Sequence, residues 1–407
     1  MKKVVIVLVL LLVWNPSLLG FFAALLALKL FALGRKEQVL INPYTLFLIT
    51  PISLVFYKSS VSIFYLSPLT TKAQFFIILS LYLFFLGLRF GSIFKLNVKG
   101  SRSYRGINFI VLGLVPYVVG YLYVGWPLLA GNPDVAKSNF FQPIIGQMSL
   151  FYTAGLVIYF KKRKTREVIM LSIISLALAI LVLAKLAILM TIVGIVFLVS
   201  RYYRNVFRGN RISVLLISVL FAFLGLFSLL GNVRNVNDVM FAWEDEIRFN
   251  NEILDSYGEL LYAPYYYFVT PWTNLDYNIE NWQGFGHGSF TSKPIVSLLQ
   301  LNRYFPTEEK LVRHNPWNTH TFLADFYCDF GFIGALIMSF LLGCFVILVY
   351  RKMMTHGDSL DEALWIYVGS AVLMMFFSNH FTSVGYPVIA LVLFYTFKQI
   401  HNYFSEV

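Results

Sequence analysis

The chain has 407 residues, of which 58% are hydrophobic and 13% carry a charge. A mean hydropathy of +0.71 over this length excludes an ordinary water-soluble enzyme and indicates repeated membrane-spanning segments. The formal net charge of +12 would suit nucleic acid, but the basic residues are divided among short segments between apolar runs. We therefore expect a helical integral membrane protein whose partners include membrane lipids and exclude nucleic acid.

The first apolar run extends from Val4 to Leu33 and has basic residues at both ends. Its Lys2-Lys3 start resembles a signal peptide, but residues 14–17 lack a small-x-small cleavage pattern, so we expect a retained span. Because basic flanks favour the cytoplasm, the run must cross the membrane an even number of times. We expect a turn near Asn15-Pro16, where proline interrupts helical hydrogen bonding.

Three later segments are strongly basic: Arg89 to Arg105, Lys161 to Arg166, and Arg201 to Arg211. The positive-inside rule assigns all three to the cytoplasm. An apolar run of about 33 residues separates the last two, which again requires an even number of crossings. We expect a hairpin of two short spans that turns at Lys185.

With these turns, the chain is predicted to be an all-α polytopic membrane protein of about 12 transmembrane helices, some short or re-entrant, with both termini cytoplasmic. The expected spans are 4–14, 17–33, 41–57, 73–91, 107–129, 141–160, 167–183, 186–200, 212–231, 321–350, 363–380 and 386–399. One large external loop lies between the ninth and tenth spans. The predicted regions are an N-terminal bundle (1–231), the external loop (232–319) and C-terminal helices (320–407).

The external loop is rich in tyrosine and tryptophan, including Tyr265-Tyr-Tyr267 and Trp272. This aromatic density suits stacking on the apolar faces of sugars, and it equally suits an interfacial belt at the membrane surface. Within the loop we expect a short interfacial helix from Leu260 to Val269, bounded by Pro264 and Pro271.

Three cations are predicted at the external membrane boundary: Lys137 in a short loop, Lys185 at the hairpin turn, and Arg234 directly after an apolar span. At that depth Arg offers a bidentate fork, and Lys a point charge, to a lipid-linked diphosphate. The alternative is that each side chain extends toward lipid phosphates without a catalytic role. Lys185 favours the first interpretation most, because it interrupts an otherwise apolar run.

The most informative motif is residues 318–334, where a histidine, two aspartates and spaced glycines meet the start of a long apolar run. Polar groups that enter a bilayer need a partner or a function. If the helix includes His320, then Tyr327, Gly331 and Gly334 return to within about 40° of its direction. Small residues on this face would allow close helix packing and hold His320 rigidly. His320 is then either a proton-transferring residue or a histidine bonded to backbone at the start of the helix.

Other polar features of this region favour structural roles. Asp325 and Asp329, four positions apart, fall on the opposite helix face, where we expect pairing with an external Lys or Arg. The segment Gly284 to Gly288 has enough glycine to wrap a phosphate, but it follows no apolar strand, so a flexible turn is favoured. Neither histidine spacing nor the two cysteines indicates a metal site or a disulfide, and no cofactor is predicted.

These residues resemble a known signature. The pattern Asn318-x-x-Thr321-Phe-Leu, followed by Tyr327-x-Asp329-Phe-Gly331-x-x-Gly334, is similar to that of bacterial oligosaccharide repeat-unit polymerases, the O-antigen polymerase family. Ile41-Asn-Pro43 and Gly231-Asn-Val-Arg234 are similar to further patterns of that family. The spacing of His320 from the two glycines also resembles the related O-antigen ligases, from whose pattern Thr321 departs.

The resemblance implies a metal-independent glycosyltransferase of the bacterial inner membrane. Such an enzyme moves a growing glycan from polyprenyl diphosphate to a second lipid-linked repeat unit, and a chain-length regulator protein is a further expected partner. His320 would be the general base and Arg234 the catalytic cation. The residues expected to bind the diphosphate or the glycan are Lys137, Lys185, Arg248, Asn318, Thr321 and Tyr327.

Two other functions stay open from the sequence. One is a ligase that transfers finished glycan to lipid A-core, and the other is a flippase or other transporter of lipid-linked oligosaccharides. A transporter would show symmetric halves and a polar path through the bilayer midplane, and the sequence has no evident internal repeat. The concentration of polar residues on one predicted side therefore favours the enzymes.

Overall fold

The structure is a computed structural model that describes residues 17–37, 39, 41–60, 68–94, 104–131, 133–141, 143–202, 268–299, 301, 304, 310–311, 319–381 and 385–406. All regular secondary structure in these ranges is helical. In chain order the helices are α1 (Leu18–Gly34), α2 (Pro43–Phe47), α3 (Ile49–Ser60), α4 (Thr71–Gly91), α5 (Gly106–Val124), α6 (Pro133–Phe140), α7 (Pro143–Gln147), α8 (Leu150–Lys161), α9 (Thr165–Leu181), α10 (Lys185–Tyr202), α11 (268–281), α12 (Lys293–Leu298), α13 (Phe322–His356), α14 (Ser359–Leu373) and α15 (Tyr386–Glu406). The expected turn at Asn15-Pro16 and the span 212–231 lie outside the described residues.

Within the described ranges, three segments are long and apolar enough to cross a membrane, namely Thr71–Gly91, Gly106–Leu129 and Phe322–Thr355. Shorter apolar helices accompany them at Leu18–Gly34, Pro43–Val55, Ala187–Tyr202 and Tyr386–Ile400. Helix is the expected form in lipid, where every backbone N–H and C=O must be satisfied within its own segment. The predicted all-helical class is confirmed, while the number of spans stays a prediction.

Helices α4 and α13 form the most extensive helix pair in the described structure. Two glycines permit their close approach. A Cβ at Gly87 would overlap the carbonyl oxygen of Phe340, and a Cβ at Gly343 would overlap that of Phe84. Small residues let backbones approach where lipid supplies no hydrophobic force between helices, so van der Waals packing holds this pair together.

The close-packing role predicted for Gly331 and Gly334 is wrong. A Cβ at Gly331 would meet the ring of Phe285, and one at Gly334 would meet Phe330 in the preceding turn of its own helix. Gly331 also has φ 65° and ψ −165°, which interrupts the helical path inside α13. Glycine is required there by the kink, because this backbone conformation is strained for residues with a Cβ.

The hairpin predicted around Lys185 is present as two helices. Helix α9 ends at Leu181, α10 begins at Lys185, and the turn between them includes Leu183 with φ 56°. The two helices pack along each other, and the hydroxyl groups of Ser175 and Thr191 lie 3.0 Å apart between them. The turn therefore falls where the charge-parity argument required it.

Other predicted spans differ from the helices at their ends. Span 41–57 consists of α2 and α3, which are separated at Leu48. Span 141–160 begins as the separate short helix α7 before α8. Span 363–380 corresponds to α14, which begins at Ser359 and ends at Leu373.

Basic residues gather at one end of the bundle, which we call the basic end, where α8, α10 and α13 finish. Lys161 donates to the carbonyl of Gly357, and Arg201 donates to the sulfur of Met353 at 2.9 Å. Lys162 donates to the carbonyl of Tyr104 at 3.4 Å. Three basic segments that are far apart in sequence thus lie at the same end of the bundle.

A buried carboxylate joins these segments. Glu362 is 0% exposed and accepts hydrogen bonds of 2.7 and 2.8 Å from the hydroxyl of Tyr202. Arg201 and Lys161 lie 3.4 and 3.8 Å from the same carboxylate. Because a buried charge is tolerated only when it is paired and hydrogen-bonded, this cluster fixes the ends of α8 and α10 against α14.

Candidate functional site

The opposite end of the bundle, which we call the polar end, is where α13 begins and α11 lies against it. Helix α11 runs from residue 268 to 281 and passes through Pro271. The interfacial helix predicted to stop before this proline is therefore wrong at its C-terminal boundary. Helix α11 belongs to the predicted external loop, and its contacts show how part of that loop packs on the apolar helices.

Side chains of α11 attach it to the neighbouring helices. Asp276 accepts hydrogen bonds from the hydroxyl and the backbone N–H of Thr70, at 2.6 and 3.1 Å, just before α4. Lys72 donates to the carbonyl of Ile279 at 3.2 Å. The indole N–H of Trp272 donates to the hydroxyl of Ser53 in α3 at 3.3 Å. These bonds fix the position of α11 relative to α3 and α4.

Two asparagines of α11 hold the chain on both sides of residues 312–318. The side chain of Asn278 accepts from the N–H of Leu311 at 3.0 Å and donates to the carbonyl of the same residue at 2.7 Å. Asn274 donates to the carbonyl of Thr319 at 2.8 Å. Such two-way amide pairing imitates a strand ladder and positions the backbone that leads into His320.

His320 is buried, with 5% of its surface exposed, and it precedes α13 rather than belonging to it. Its Nε2 lies 3.0 Å from the carbonyl oxygen of Leu311. A carbonyl can only accept, so Nε2 carries the proton and Nδ1 has the lone pair when the ring is neutral. The backbone-bonded arrangement left open by the sequence is therefore present, and it also fixes which nitrogen can accept a proton.

Lys310, the chain neighbour of Leu311, forms an ion pair with Asp325. The side chain of Asp325 is 2% exposed, and that of Lys310 is 19% exposed. Asp325 also lies in the first turn of α13, where the helix dipole favours a negative charge. The predicted pairing of Asp325 with a lysine or arginine is confirmed, and the partner is Lys310.

Asp329 has different partners from those predicted. Its carboxylate accepts hydrogen bonds from the backbone N–H groups of Phe290 and Thr291 at 3.1 and 2.8 Å. The backbone N–H of Gly286 donates to the carbonyl of Cys328 at 2.8 Å, and a Cβ at Gly286 would lie 2.6 Å from Asp329 Oδ1. The chain from Gly286 to Thr291 therefore lies around a carboxylate of its own chain, and the sequence had favoured a turn here over a phosphate site.

The single helix face predicted for residues 320–334 is wrong. The helix begins at Phe322, after His320, and its path is interrupted at Gly331, so a constant 100° per residue does not apply. Tyr327 is buried and donates its hydroxyl proton to the carbonyl of Ile279 at 3.1 Å. This hydrogen bond joins α13 to α11.

Sequence reasoning missed His380, which lies in the turn between α14 and α15. Asn379 donates to the carbonyl of Phe322 at 3.4 Å, and the N–H of Phe322 donates to the carbonyl of Met375 at 3.0 Å. Burial lowers the pKa of His380 to about 4, and the nearby Asp325 carboxylate offsets part of this effect. No helical periodicity in the sequence indicates His380, because its position depends on the turn and not on a helix face.

Asn274, Asn278 and Lys310 were also missed as site residues. The two asparagines have the i,i+4 spacing of one helix face, and this signal was available in the sequence. The helix predicted from Leu260 to Val269 ends before Pro271 and therefore excludes both asparagines. Lys310 carried no signal, since its role depends on the path of the chain before α13.

The remaining predicted residues are divided between described and undescribed parts of the chain. Lys137 lies in α6, which packs on α5, and Lys185 begins α10, which packs on α9 and α14. The helices with the most extensive contacts to α13 are α4 and α14, so neither α6 with Lys137 nor α10 with Lys185 is among them. Arg234, Arg248 and Asn318 lie outside the described residues.

Within the described residues no group of three or more histidine, cysteine, aspartate or glutamate side chains is arranged to hold a metal ion. His320 and Asp329 are instead bonded to backbone groups, and Asp325 is paired with Lys310. Searches of protein-family models, of curated proteins and of solved structures found no match to this chain.

Proposed function

We propose that this chain is a membrane-embedded glycosyltransferase of the O-antigen polymerase type. The observation that carries the proposal is the arrangement around His320, whose Nε2 is fixed by Leu311, the chain neighbour of the Lys310 that pairs with Asp325. The motif resemblance of residues 318–334 supports the same reaction class. A buried histidine with a fixed tautomer, at one end of a helical membrane protein, suits proton transfer at a membrane surface.

The proposed reaction is a displacement at the anomeric carbon of a lipid-linked glycan. The hydroxyl oxygen of the acceptor repeat unit forms a bond to that carbon, while the bond from the same carbon to the diphosphate oxygen breaks. The proton of the hydroxyl moves to Nδ1 of His320, and polyprenyl diphosphate leaves with the electron pair. Leu311 supports this role, since its carbonyl keeps the other ring nitrogen protonated.

Cations would stabilise the negative charge that develops on the leaving diphosphate. Arg234 is our candidate for the main contact, with Arg248, Lys137 and Lys185 as further diphosphate or glycan contacts. Lys310 is unsuited to this role because its charge is already neutralised by Asp325. Asn318, two residues before His320, and Thr321, directly after it, are proposed to contact the glycan.

We further propose that the basic end faces the cytoplasm and the polar end faces the external side of a bacterial inner membrane. The positive-inside rule supports this orientation, because Lys161, Lys162 and Arg201 lie together at the basic end. Lipid-linked repeat units would then meet His320 on the external side. Both chain termini would be cytoplasmic.

Deletion of the gene tests the reaction class. A polymerase predicts that surface glycans with a single repeat unit persist on a gel while the ladder of longer chains disappears. Loss of every attached repeat unit would contradict the polymerase and favour a ligase or a flippase of lipid-linked oligosaccharides. Complementation with the wild-type gene must restore the ladder.

Substitution of His320 tests the proposed base. In His320→Gln the amide nitrogen can still donate to Leu311, whereas the base is lost. When this variant complements the gene deletion, we expect the ladder of longer glycans to be lost, or its amount to fall at least about a hundredfold, as is typical for removal of a general base. The matched control is His287→Gln, at an exposed turn residue. Ladder formation equal to wild type in His320→Gln would make His320 a structural residue only.

Substitution of Arg234 tests the proposed diphosphate contact separately. Arg234→Ala is expected to abolish polymer while the protein still inserts in the membrane at wild-type level. Arg234→Lys is expected to recover part of the activity, because the charge stays although the bidentate fork is lost. Full-length polymer from Arg234→Ala would exclude this role.

A further inference from the structure

Two buried polar side chains next to Phe322 and Asn379 have no hydrogen-bond partner within the described part of the chain. They are Thr321, through its hydroxyl oxygen, and His380, through both ring nitrogens. Thr321 is 0% exposed and His380 is 7% exposed. Native proteins satisfy nearly all buried polar atoms, so three such atoms indicate a partner that binds there.

Both side chains belong to one junction between α13 and the turn after α14. Asn379 donates to the carbonyl of Phe322, and Phe322 donates back to Met375, so residue 322 is held by the turn on both sides. Thr321 directly precedes Phe322 in the chain, and His380 directly follows Asn379. His320 directly precedes Thr321, which brings the junction next to the proposed base.

The charges around the junction exclude an ionic ligand. The carboxylate of Asp325 raises the proton affinity of His380, but it is paired with Lys310, so the ion pair gives an anion such as a diphosphate no net positive charge to bind. Asp325 is already paired with Lys310, so it offers little to a cation. Burial keeps His380 in its neutral form above a pKa of about 4. The missing partner is therefore uncharged.

The hydrogen-bonding capacity of the two residues specifies its chemistry. A neutral imidazole has one donor and one acceptor nitrogen, and a threonine hydroxyl also donates and accepts. An uncharged group that both donates and accepts matches the capacity of each residue, and the hydroxyl group has this property. A glycan is the source of hydroxyl groups that the proposed reaction brings to this end of the protein.

We propose that Thr321 and His380 form a subsite that binds a sugar hydroxyl of the lipid-linked glycan beside His320. The inference rests on the proposed function and adds His380 as a glycan-binding residue. Neither side chain forms or breaks a covalent bond. Their role is to hold the sugar so that its reacting oxygen or carbon is aligned with His320.

Ligand binding by the purified full chain in lipid nanodiscs tests the subsite. One probe is polyprenyl-diphosphate-linked repeat units extracted from a strain that lacks the gene, and the other is polyprenyl diphosphate without glycan. The variants are Thr321→Val, which keeps the side-chain shape, and His380→Phe, which keeps an aromatic ring. Thr355→Val, at an exposed site near the far end of α13, is the matched control.

We expect each variant to bind the glycan-bearing lipid roughly tenfold more weakly than wild type, the effect of one lost hydrogen bond. Affinity for glycan-free polyprenyl diphosphate should be unchanged. The melting temperature should equal or exceed that of wild type, because each substitution removes an unsatisfied buried group. If His380→Phe does not insert, Thr321→Val decides the question alone.

Two outcomes overturn the subsite. Unchanged affinity for both lipids would mean that water alone satisfies Thr321 and His380. Equal weakening for both lipids would place the contact on the diphosphate or the lipid rather than on sugar. If the wild-type protein binds neither lipid, the proposed function itself fails and the subsite fails with it, a result that is visible without any substitution.

Discussion

Asp329 accepts a 2.8 Å hydrogen bond from the backbone N–H of Thr291, which precedes it by 38 residues. A second bond of 3.1 Å comes from the N–H of Phe290. A carboxylate inside a turn of backbone N–H groups is the arrangement by which proteins bind free anions. Here the anion is part of the chain, so the N–H groups of Phe290 and Thr291 are closed to an external phosphate, and their bonds fix the segment after α11 against α13.

Asp329→Asn should destabilise the protein by about 1–3 kcal/mol, because the amide offers only one oxygen to the two N–H donors. The measurement is the thermal unfolding midpoint of purified protein in detergent. The matched control is Glu280→Gln at an exposed residue, which should leave the midpoint unchanged. Gly286→Ala should act in the same direction as Asp329→Asn, since its Cβ would lie 2.6 Å from the carboxylate. A wild-type midpoint in both variants would contradict the role of the turn.

The Lys310–Asp325 ion pair gives a second prediction. Lys310→Met leaves a carboxylate with a 2% exposed side chain without this cation, and we expect a loss of about 3 kcal/mol in the free energy of unfolding. The double variant Lys310→Met/Asp325→Asn should be more stable than Lys310→Met alone, because the buried charge is gone. Chemical denaturation of the four proteins, as a double-mutant cycle, measures this coupling. Additive effects would show that the two side chains do not interact.

The buried carboxylate at the basic end gives a third prediction. Glu362→Gln should cost about 3 kcal/mol or more, since Arg201 and Lys161 lose their shared counter-charge. Tyr202→Phe should cost about 1 kcal/mol, the usual value of one hydrogen bond. Glu167→Gln is the control, because its pairing with Lys164 is solvent-exposed. Thermal midpoints that do not follow this order would contradict the cluster as a structural anchor.

The close approach of α4 and α13 gives a fourth prediction. Gly343→Ala introduces a Cβ that overlaps the carbonyl oxygen of Phe84, so the helices must separate at a cost of about 1–3 kcal/mol. Gly131→Ala, where nothing lies within 4 Å of the added Cβ, is the control. Thermal unfolding in detergent compares the two. Equal midpoints for Gly343→Ala and wild type would mean that the helices do not pack at this glycine.

Buried His380 gives a prediction about pH. Its pKa is lowered to about 4 in the folded protein, whereas an unfolded histidine titrates near 6.5. Between these values the unfolded chain binds more protons, so stability must rise with pH across this window and level off above it. Unfolding midpoints, measured from pH 4 to 8, should therefore decrease as the pH is lowered below about 6.5. His380→Phe should reduce the slope in this window, and an unchanged slope would contradict the burial of a neutral histidine.

The class of the fold was predictable from sequence, and so was the turn before Lys185. Apolar runs of sufficient length must form helices in lipid, and basic flanks require an even number of crossings between them. The pairing of Asp325 with a lysine was also predictable, because a buried carboxylate requires a partner. The identity of that partner as Lys310 was not, since no local pattern links a loop residue to a helix 15 residues later.

The single helix face proposed for residues 320–334 failed for a physical reason. Helical periodicity holds only while φ and ψ stay helical, and the positive φ of Gly331 ends that regularity. The glycine could equally mark close packing or a kink, and sequence spacing does not distinguish these. The packing glycines are instead Gly87 and Gly343, whose closeness depends on how two distant helices cross.

By itself the sequence determined that this chain forms apolar helices with basic residues between them and a polar segment around His320. These properties follow from hydropathy and backbone hydrogen bonding, which act over a few turns of chain. Only the tertiary structure decided that Asn278 holds Leu311 against His320, that Asp329 accepts from the backbone of Thr291, and that Asn379 bonds Phe322 at the start of α13. Each of these contacts joins residues that are far apart in sequence, and side-chain chemistry alone does not indicate which of the available donors and acceptors will meet.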